Sequence, residues 1–174
     1  MFFSPRLQSW INNFVRTNRF NGLIYFMLVP KPITPMVGCD VFIRNIRNEL
    51  LLIQRTDNNL WALPGGYQEL GETPKECAIR ECMEETGLNV EILELIGVFS
   101  SLRYELKNYP LKDIEICHLF FLGKVVGGKE KTSIESKNIK WFSKQTMPQL
   151  SDGHDIRINY GWEYIEHNKK AHFE

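Results

Sequence analysis

Residues 66–88 read GYQELGETPKECAIRECMEETGL, and this stretch carries a complete set of signals for one helix. Thr73 can serve as the N-cap, Pro74 suits the first helical position, and Glu76 can complete a capping box. Gly87 is placed to end the helix in the left-handed conformation. The sequence therefore predicts a helix that runs from Pro74 to the residue before Gly87.

Three glutamates of this helix are expected to lie together. Glu81, Glu84 and Glu85 are spaced i, i+3 and i+4, so their carboxylates project from neighbouring positions on one face. Repulsion between these carboxylates would be relieved in part by Arg80, which lies four residues before Glu84. A divalent cation would relieve it further. The apolar residues that fall largely on the opposite side, where they can pack against a sheet, are Ala78, Ile79, Cys82 and Met83.

Residue chemistry alone leaves two interpretations of this cluster open. Hard carboxylate oxygens suit Mg²⁺ or Mn²⁺, which retain waters and reach substrate phosphates. Glu72, in the loop before the helix, could complete or orient such a site. The alternative is a solvated acidic helix face that binds no metal.

The wider spacing resembles the signature of the Nudix hydrolase family (MutT-like). Gly66 is followed after five residues by Glu72 and, after seven more, by RECMEETGL at residues 80–88, so every fixed position of the family pattern is matched. Cys82 is the one departure, because the family usually has a larger aliphatic residue there. A buried cysteine behaves as a small hydrophobe, so the departure concerns packing and not chemistry.

The resemblance implies an α/β fold, a Nudix-type α/β/α sandwich with a mixed sheet, plus an N-terminal helical extension. The order of strands and helix over residues 37–142 follows the family, and residues 37–174 are expected to form the hydrolase domain. Residues 1–36 lie outside the resemblance. Amphipathic spacing predicts a helix at residues 5–20, and the apolar character of this extension suits a homodimer interface.

The resemblance also implies the reaction. Family members hydrolyse a nucleoside diphosphate linked to another moiety, while Mg²⁺ or Mn²⁺ offsets charge on the phosphoryl oxygens and the leaving group. The substrate would be ADP-ribose, a sugar nucleotide, a CDP-alcohol, a dinucleoside polyphosphate or an oxidised nucleoside triphosphate, and the sequence does not separate these. The alternative is a non-catalytic nucleotide-sensing or interaction module. Such a protein would be expected to lack a signature glutamate, and none is missing.

Carried onto this chain, the family pattern assigns roles to individual residues. The expected metal ligands are Glu81, Glu84 and Glu85, together with the backbone carbonyl of Gly65. Arg80 is expected to orient the glutamates. Arg80, Glu81 and Glu85 thus belong to the expected catalytic set.

The general base and the substrate contacts are less constrained by the pattern. The base would be Glu81 or Glu135, because a later loop often supplies such a carboxylate. Arg55 resembles a position that contacts phosphate, and a guanidinium suits phosphate geometry. Tyr104 follows the signature at a separation similar to that of a tyrosine in family members acting on dinucleoside polyphosphates. The residues expected to contact substrate are Arg55, Gly66, Glu72 and Tyr104.

Composition argues against several other classes of protein. Lysine plus arginine and aspartate plus glutamate both number 21, so no overall charge favours a nucleic acid polymer or an anionic membrane as partner. The apolar run at residues 23–29 is far shorter than the roughly 20 residues that span a bilayer. A cytoplasmic protein is expected, with its four cysteines reduced in the core and without zinc-ligand spacing.

The rest of the chain reads as strands and one further helix. Strands are expected at residues 37–44, 50–55, 90–100, 114–125 and 139–142. A C-terminal helix is expected over residues 151–168, with Asp152 as its N-cap. The His154-Asp155 pair is assigned to the start of this helix and not to a metal site, because no partner histidine lies at ligand spacing. The side chains expected to share one side of the helix are Ile156, Tyr160 and Tyr164.

Overall fold

The computed structural model describes residues 35–107 and 114–174. Residues Pro35–Glu174 form one compact unit. The helix expected at residues 5–20 lies outside the described residues, as does nearly all of the extension for which a dimer interface is expected. Within the described ranges, every helix is too short or too polar to cross a membrane.

The larger sheet has five strands: β1 (Met36–Ile43), β4 (Gly65–Tyr67), β5 (Leu88–Ser100), β6 (Ile116–Gly128) and β8 (His172–Phe173). Their order in the sheet is β4-β1-β6-β5-β8. β1 runs parallel to β6 and antiparallel to β4, while β5 runs antiparallel to β6 and parallel to the short β8. The sheet is therefore mixed, as the resemblance implies.

A second, antiparallel sheet has three strands: β2 (Leu50–Arg55), β3 (Trp61–Ala62) and β7 (Ser136–Phe142). Their order in the sheet is β3-β2-β7. The pairing of β2 with β7 shifts register between Gln54 and Arg55, so the ladder is irregular at the end of β2.

Two helices pack on opposite faces of β1, because its side chains alternate between two cores. Cys39 and Val41 join the core that contains helix α1 (Pro74–Thr86), whereas Phe42 joins the core that contains helix α2 (His154–His167). The fold is therefore the expected α/β type, with the larger sheet between α1 and α2. Among the cysteines, which are all free, Cys39, Cys77 and Cys82 are buried and Cys117 is half-buried.

The edge strand β4 lies where the sequence suggests an irregular loop. Pro64, Gly65 and Gly66 predict a loop, yet Gly65–Tyr67 pairs with β1, with Gly65 opposite Asp40. The pairing is close, because a Cβ atom at Gly65 would lie 2.3 Å from the carbonyl oxygen of Cys39. Two glycines therefore let the chain run directly against β1.

The orientation of α2 differs from the expectation. The helix begins at His154, and its N-cap is Gly153 at a φ of 73°, so Asp152 is not the cap. The buried side carries Ile158 and Trp162, whereas Ile156 is 37% exposed. Tyr160 and Tyr164 pack only at the margin of the core. The helix turns this way because Gly161 lies against the ring of Phe42, where a Cβ would be 2.5 Å away.

Candidate active site

Helix α1 is bounded as the sequence predicts. The Thr73 side chain accepts a hydrogen bond from the Glu76 backbone N–H, and the Glu76 carboxylate accepts one from the Thr73 backbone N–H. Gly87 ends the helix at a φ of 71° and donates its N–H to the carbonyl of Met83. These local bonds satisfy polar backbone groups at the two ends of α1 and fix where the helix begins and ends.

The three signature glutamates do not share one exposed face. Glu85 is 5% exposed and faces the protein interior, whereas the Glu84 side chain is 60% exposed. Met83, expected to pack against the sheet, is 39% exposed. Glu81 and Glu85 are four residues apart and therefore lie on the same side of α1. The helix is rotated so that this side faces the protein, while Met83 and Glu84 face outward.

Glu85 is a buried carboxylate beside the edge strand β4. Its Oε2 accepts a hydrogen bond from the Gly65 N–H at 2.9 Å. Burial raises the pKa of Glu85 well above its ordinary value, the Gly65 N–H opposes this, and the charge of Glu81 adds to the rise. Among the residues that the structure describes, Glu85 forms no salt bridge. A bound cation would favour the ionised form of this carboxylate.

Glu81 lies against the second glycine of the same strand. A Cβ at Gly66 would be 2.5 Å from the Glu81 carboxyl carbon, so the carboxylate occupies the space that a side chain would fill. Burial raises the pKa of Glu81, while its hydrogen bond with Arg80 opposes the rise. Glu81 and Glu85 therefore flank β4 together, at Gly66 and Gly65.

Arg80 holds several acidic groups in place. It donates to Glu72 from Nε at 3.0 Å and from Nη2 at 2.8 Å, and to Glu81 from Nη1 at 2.8 Å. It also reaches Glu84 at 3.1 Å, as the i, i+4 spacing predicts, and the Tyr67 carbonyl at 3.2 Å. The bond from Arg80 is the largest cause that lowers the pKa of Glu72 to about 2. Arg80 thus ties the loop before α1 to the helix.

These donors suit a hard divalent cation, although the described residues contain no group of three His, Cys, Asp or Glu side chains arranged to hold a metal. Mg²⁺ needs only one or two carboxylates when waters and substrate phosphates complete its shell. Glu81 and Glu85 supply two carboxylates, and both adjoin Gly65–Tyr67, whose first carbonyl was expected to be a ligand. The residues present therefore fit the cation that the resemblance implies.

The structure also brings Glu135 and Arg55 toward this pair. The negative charge of Glu135 contributes to the raised pKa of both Glu81 and Glu85, after burial, and the positive charge of Arg55 lowers that of Glu85. The backbone joins the two segments, since the Thr56 N–H donates to the Glu135 carbonyl at 2.9 Å. Arg55 itself binds Asp57 through two hydrogen bonds, at 3.0 and 2.5 Å.

Tyr104 lies in a separate group of polar side chains. Its hydroxyl lies 2.7 Å from His118 Nε2, and His118 Nδ1 lies 2.9 Å from Asp40 Oδ2, both within hydrogen-bond distance. Arg157 Nε lies 3.1 Å from the same Asp40 oxygen. Asp40, His118 and Arg157 were not singled out by the sequence. Their signal is a polar residue within an apolar run, as with Asp40 in MVGCDVFI and His118 in ICHLFFLG.

His154 links α2 to the loop that leads into β4. Its Nδ1 accepts a hydrogen bond from the Leu63 N–H at 3.2 Å, and the residue is 8% exposed. Burial lowers the pKa of His154 well below its ordinary value, so the ring is neutral and can accept this bond. The sequence interpretation placed His154 only at a helix start. Its contact with the loop could not be read from local spacing.

Comparison with known proteins identifies the family that the sequence resembles. A family model described as the NUDIX domain matches residues 34–159. An ADP-ribose pyrophosphatase from Methanocaldococcus jannaschii is 34% identical over 124 residues, which are 70% of this chain and 69% of that protein. A MutT-like protein from Streptomyces ambofaciens is 40% identical over 110 residues, 63% of this chain and 65% of that protein.

Solved structures of other proteins share this fold. The crystal structure of a UDP-X diphosphatase superposes with a TM-score of 0.72 at 22% identity and covers 97% of this chain and 83% of that one. Similarity at this identity shows the fold, and the family model, which spans more than half of the chain, shows the family. Together with Glu81 and Glu85 beside β4, these matches show that the chain belongs to the Nudix hydrolase family and is a pyrophosphohydrolase.

Proposed function

We propose that the chain hydrolyses, with Mg²⁺, the pyrophosphate linkage of a nucleoside diphosphate joined to another moiety. The observation that carries the proposal is the pair of inward-facing carboxylates beside β4, at Gly65 and Gly66. Glu85 is buried with only a backbone N–H donor among the contacts described, and such a carboxylate is stabilised in its ionised form by a cation.

In this proposal, Glu81, Glu85 and the Gly65 carbonyl would hold the cation. When bound, Mg²⁺ supplies positive charge that stabilises the phosphoryl oxygens and the leaving group. Arg80 keeps the Glu81 carboxylate in place through the 2.8 Å hydrogen bond. The Glu84 side chain is 60% exposed, pairs with Arg80 and lies at the rim of the site.

The attacking water needs a group that accepts its proton. Glu135 and Glu81 are the two candidates, and the charge of Glu135 is among the causes that raise the pKa of Glu81. Arg55 can donate two parallel hydrogen bonds, as it does to Asp57, and this geometry also suits a phosphate. We assign Arg55 to the phosphate nearest β2.

The substrate class follows from the family and its relatives. A relative that is 34% identical is an ADP-ribose pyrophosphatase, so ADP-ribose is the first compound to test. Sugar nucleotides, CDP-alcohols, dinucleoside polyphosphates and oxidised nucleoside triphosphates present the same linkage. In this proposal the residues near β4 would contact the pyrophosphate linkage, which all of these compounds share, and so would not distinguish them.

The proposal is tested by incubating the purified chain with Mg²⁺ and each of these compounds in ¹⁸O-labelled water. Chromatography and mass spectrometry then identify the two phosphate products and the labelled one. Glu85→Gln should lower kcat by roughly 10²-fold or more, because the variant would hold less firmly the cation that stabilises the transition state. Glu91→Gln is the matched control, since Glu91 is exposed and pairs with Lys124 on the surface.

Two results would overturn the proposal. One is full activity in the Glu85→Gln variant, which would remove Glu85 from the site. The other is binding of the compounds without turnover of any of them by the wild-type chain, which would favour a nucleotide-sensing module. Comparison of Glu81→Gln with Glu135→Gln then identifies the base, because loss of the base removes the lower limb of the pH–rate profile.

A further inference from the structure

The last turn of α1 is bonded to the chain segment that follows β6. Carbonyls in the last turn of a helix have no partner within the helix and must find one elsewhere. The Thr86 carbonyl accepts the Lys131 N–H at 2.8 Å, and the Glu85 carbonyl accepts the hydroxyl of Ser136 at 2.5 Å. Ser136 is 0% exposed. This segment is therefore held at the end of the helix that carries Glu81 and Glu85.

Ser133 and Ser136 close a tight turn through their side chains. A hydroxyl can donate one hydrogen bond and accept two. Because the Ser136 hydroxyl donates to a carbonyl, it accepts both the N–H and the hydroxyl of Ser133, each at 3.1 Å. The Ser133 oxygen in turn accepts the N–H of Glu135 at 3.1 Å and that of Ser136 at 3.0 Å. Both hydroxyls therefore use one donor and two acceptor positions, which fixes the direction of every bond in the turn.

The backbone of Glu135 is bonded on both sides, although the residue is exposed. Its N–H donates to Ser133 Oγ, and its carbonyl accepts the Thr56 N–H at 2.9 Å. The Thr56 hydroxyl also donates to the Ile134 carbonyl at 3.1 Å. Side chains on surface loops usually move with the backbone that carries them. The Glu135 carboxylate instead extends from a backbone whose position is set by the serine turn and by the segment after β2.

Ser136 connects three segments of the proposed site. It follows Glu135 in the chain, it lies opposite Arg55 in the pairing of β7 with β2, and its hydroxyl binds the Glu85 carbonyl. The carboxylate of the base candidate, the arginine assigned to phosphate and the buried carboxylate of α1 therefore belong to residues that adjoin one buried serine. No local pattern in the sequence indicates this, because Ser136 and Glu85 are 51 residues apart.

We propose that Ser136 is a positioning residue that holds Glu135 at a fixed place relative to the Glu85 end of α1. This inference rests on the proposed function, in which Glu135 is a candidate for the base that takes the proton of the attacking water. A base contributes to the rate only within hydrogen-bond reach of that water, so displacement of its backbone lowers kcat. Ser136 itself is buried and acts only through Glu135, so KM is retained.

Substitutions of Ser136 test the role of its hydroxyl, with Mg²⁺ and ADP-ribose or the compound that the wild-type chain hydrolyses fastest. Ser136→Ala should lower kcat about tenfold and leave KM within about twofold of wild type. Ser136→Cys keeps the shape of the side chain but donates only weakly, so its kcat should fall nearly as far. Full kcat in either variant, or a loss confined to KM, would overturn the inference.

Substitutions of Ser133 give a second test at a half-buried position, which holds even if Ser136→Ala fails to fold. Ser133→Ala removes the acceptor of the Glu135 N–H, whereas Ser133→Thr keeps a hydroxyl there. We expect kcat to fall about tenfold in Ser133→Ala and to lie within about twofold of wild type in Ser133→Thr. Equal kcat in the two variants would overturn the inference.

Ser143→Ala is the matched control for both serines. Ser143 lies just past the opposite end of β7, and its hydroxyl is 2.9 Å from that of Thr146, also three residues further along the chain. Loss of this second hydroxyl pair should leave kcat unchanged. A tenfold loss of kcat in Ser143→Ala as well would show that any loosened turn has this effect, and it would overturn the specific role of Ser136.

A double-mutant cycle shows whether Ser136 acts through Glu135. Glu135→Gln alone should lower kcat by roughly 10²-fold, a contribution typical of a base. In the Glu135→Gln background, Ser136→Ala should lower kcat by less than about twofold further, because the group that it positions is already lost. Losses that multiply would show that the serine only supports the fold, and they would overturn the inference.

The two proposals fail in different ways. If the wild-type chain hydrolyses none of the compounds, the proposed function fails and the role of Ser136 fails with it. If Glu135→Gln retains full kcat while Glu85→Gln loses it, the proposed function stands, the base is another group, and the inference alone is overturned.

Discussion

The backbone N–H of Gly65 donates a hydrogen bond to Glu85 Oε2 at 2.9 Å, and this bond joins the edge strand β4 to the last turns of α1. Gly65 would therefore serve the cation twice: its N–H positions the Glu85 carboxylate, and its carbonyl would be a further ligand. Loss of the Glu85 carboxylate would remove a negative charge from the site and the hydrogen bond that joins β4 to α1.

We therefore expect unequal metal affinity in two adjacent variants. Glu85→Gln should weaken Mn²⁺ binding by more than about tenfold. Glu84→Gln should change it less than about fivefold, because Glu84 is 60% exposed and only pairs with Arg80. Titration of Mn²⁺ followed by electron paramagnetic resonance measures both values. Equal losses in the two variants would contradict the assignment of Glu85 as the inner residue.

Gly66→Ala should impair catalysis more than stability. The new Cβ would lie 2.5 Å from the Glu81 carboxyl, which is the end of a flexible side chain and can move away. Movement of Glu81 would break its 2.8 Å bond to Arg80 and displace a site carboxylate. We expect kcat to fall about tenfold or more while the unfolding temperature changes little.

The control for that substitution is Gly127→Ala. At Gly127 the nearest atom to a new Cβ would be 3.5 Å away, an ordinary contact, so activity should be retained. Chemical denaturation and steady-state kinetics on the two variants measure stability and rate separately. A large loss of stability with normal kcat in Gly66→Ala would contradict the prediction.

The ion pair of Glu72 with Arg80 should give a pH-dependent contribution to stability. The hydrogen bond from Arg80 is the main cause that lowers the pKa of Glu72 from 4.5 to about 2 in the folded chain. Folding therefore favours the ionised form, and the stabilisation is present above pH 4.5 and lost as the pH falls toward 2.

Thermal unfolding of wild type and Glu72→Gln tests this dependence. Glu72→Gln should unfold at a lower temperature at neutral pH, and the difference should shrink at about pH 3. Glu91→Gln should show no comparable trend, because Glu91 pairs only with the exposed Lys124. A difference that is constant across this range would show that charge is not its cause.

Gly161→Ala should destabilise the fold although alanine favours helices. Alanine gains about 1 kcal/mol of helix propensity over glycine, whereas overpacking a core costs about 1–3 kcal/mol. The Cβ would lie 2.5 Å from the buried ring of Phe42, so the clash should dominate and leave a net loss of about 1 kcal/mol.

Urea denaturation measures the free energy of unfolding of this variant. Asn159→Ala, at an exposed position of the same helix, is the control and should leave stability unchanged or slightly higher. Stabilisation by Gly161→Ala would show that α2 can move away from β1.

The sequence predicts α1 to the residue because its caps are local. Thr73 and Glu76 are three residues apart and bind each other, and Gly87 supplies a positive φ at the helix end. α2 starts where no side chain caps it, at Gly153, so a search for a polar cap points instead to Asp152. Gly153 has a positive φ and lies against the ring of Tyr104, a contact between residues distant in sequence that a search for polar caps does not reveal.

The remaining site contacts depend on strand pairing and could not be read from spacing. Asp40 and His118 are 78 residues apart, and they meet because β1 lies parallel to β6 in one register. Glu85 and Gly65 are 20 residues apart and meet because β4 pairs with β1. Helical periodicity finds the carboxylates of α1, but the burial of Glu85 and the exposure of Glu84 follow only from the rotation of the helix against the sheet.

The alternation along β1 has a consequence for how such a protein can diversify. Cys39 packs toward α1, whose glutamates adjoin β4, and the next residue, Asp40, faces α2 and the Tyr104 cluster. A single strand thus supplies alternate side chains to two separate cores. Substitutions on the α2 face that keep the bond between His154 and Leu63 can accumulate with little effect on the glutamates, so one hydrolytic apparatus can be inherited intact while the opposite face changes.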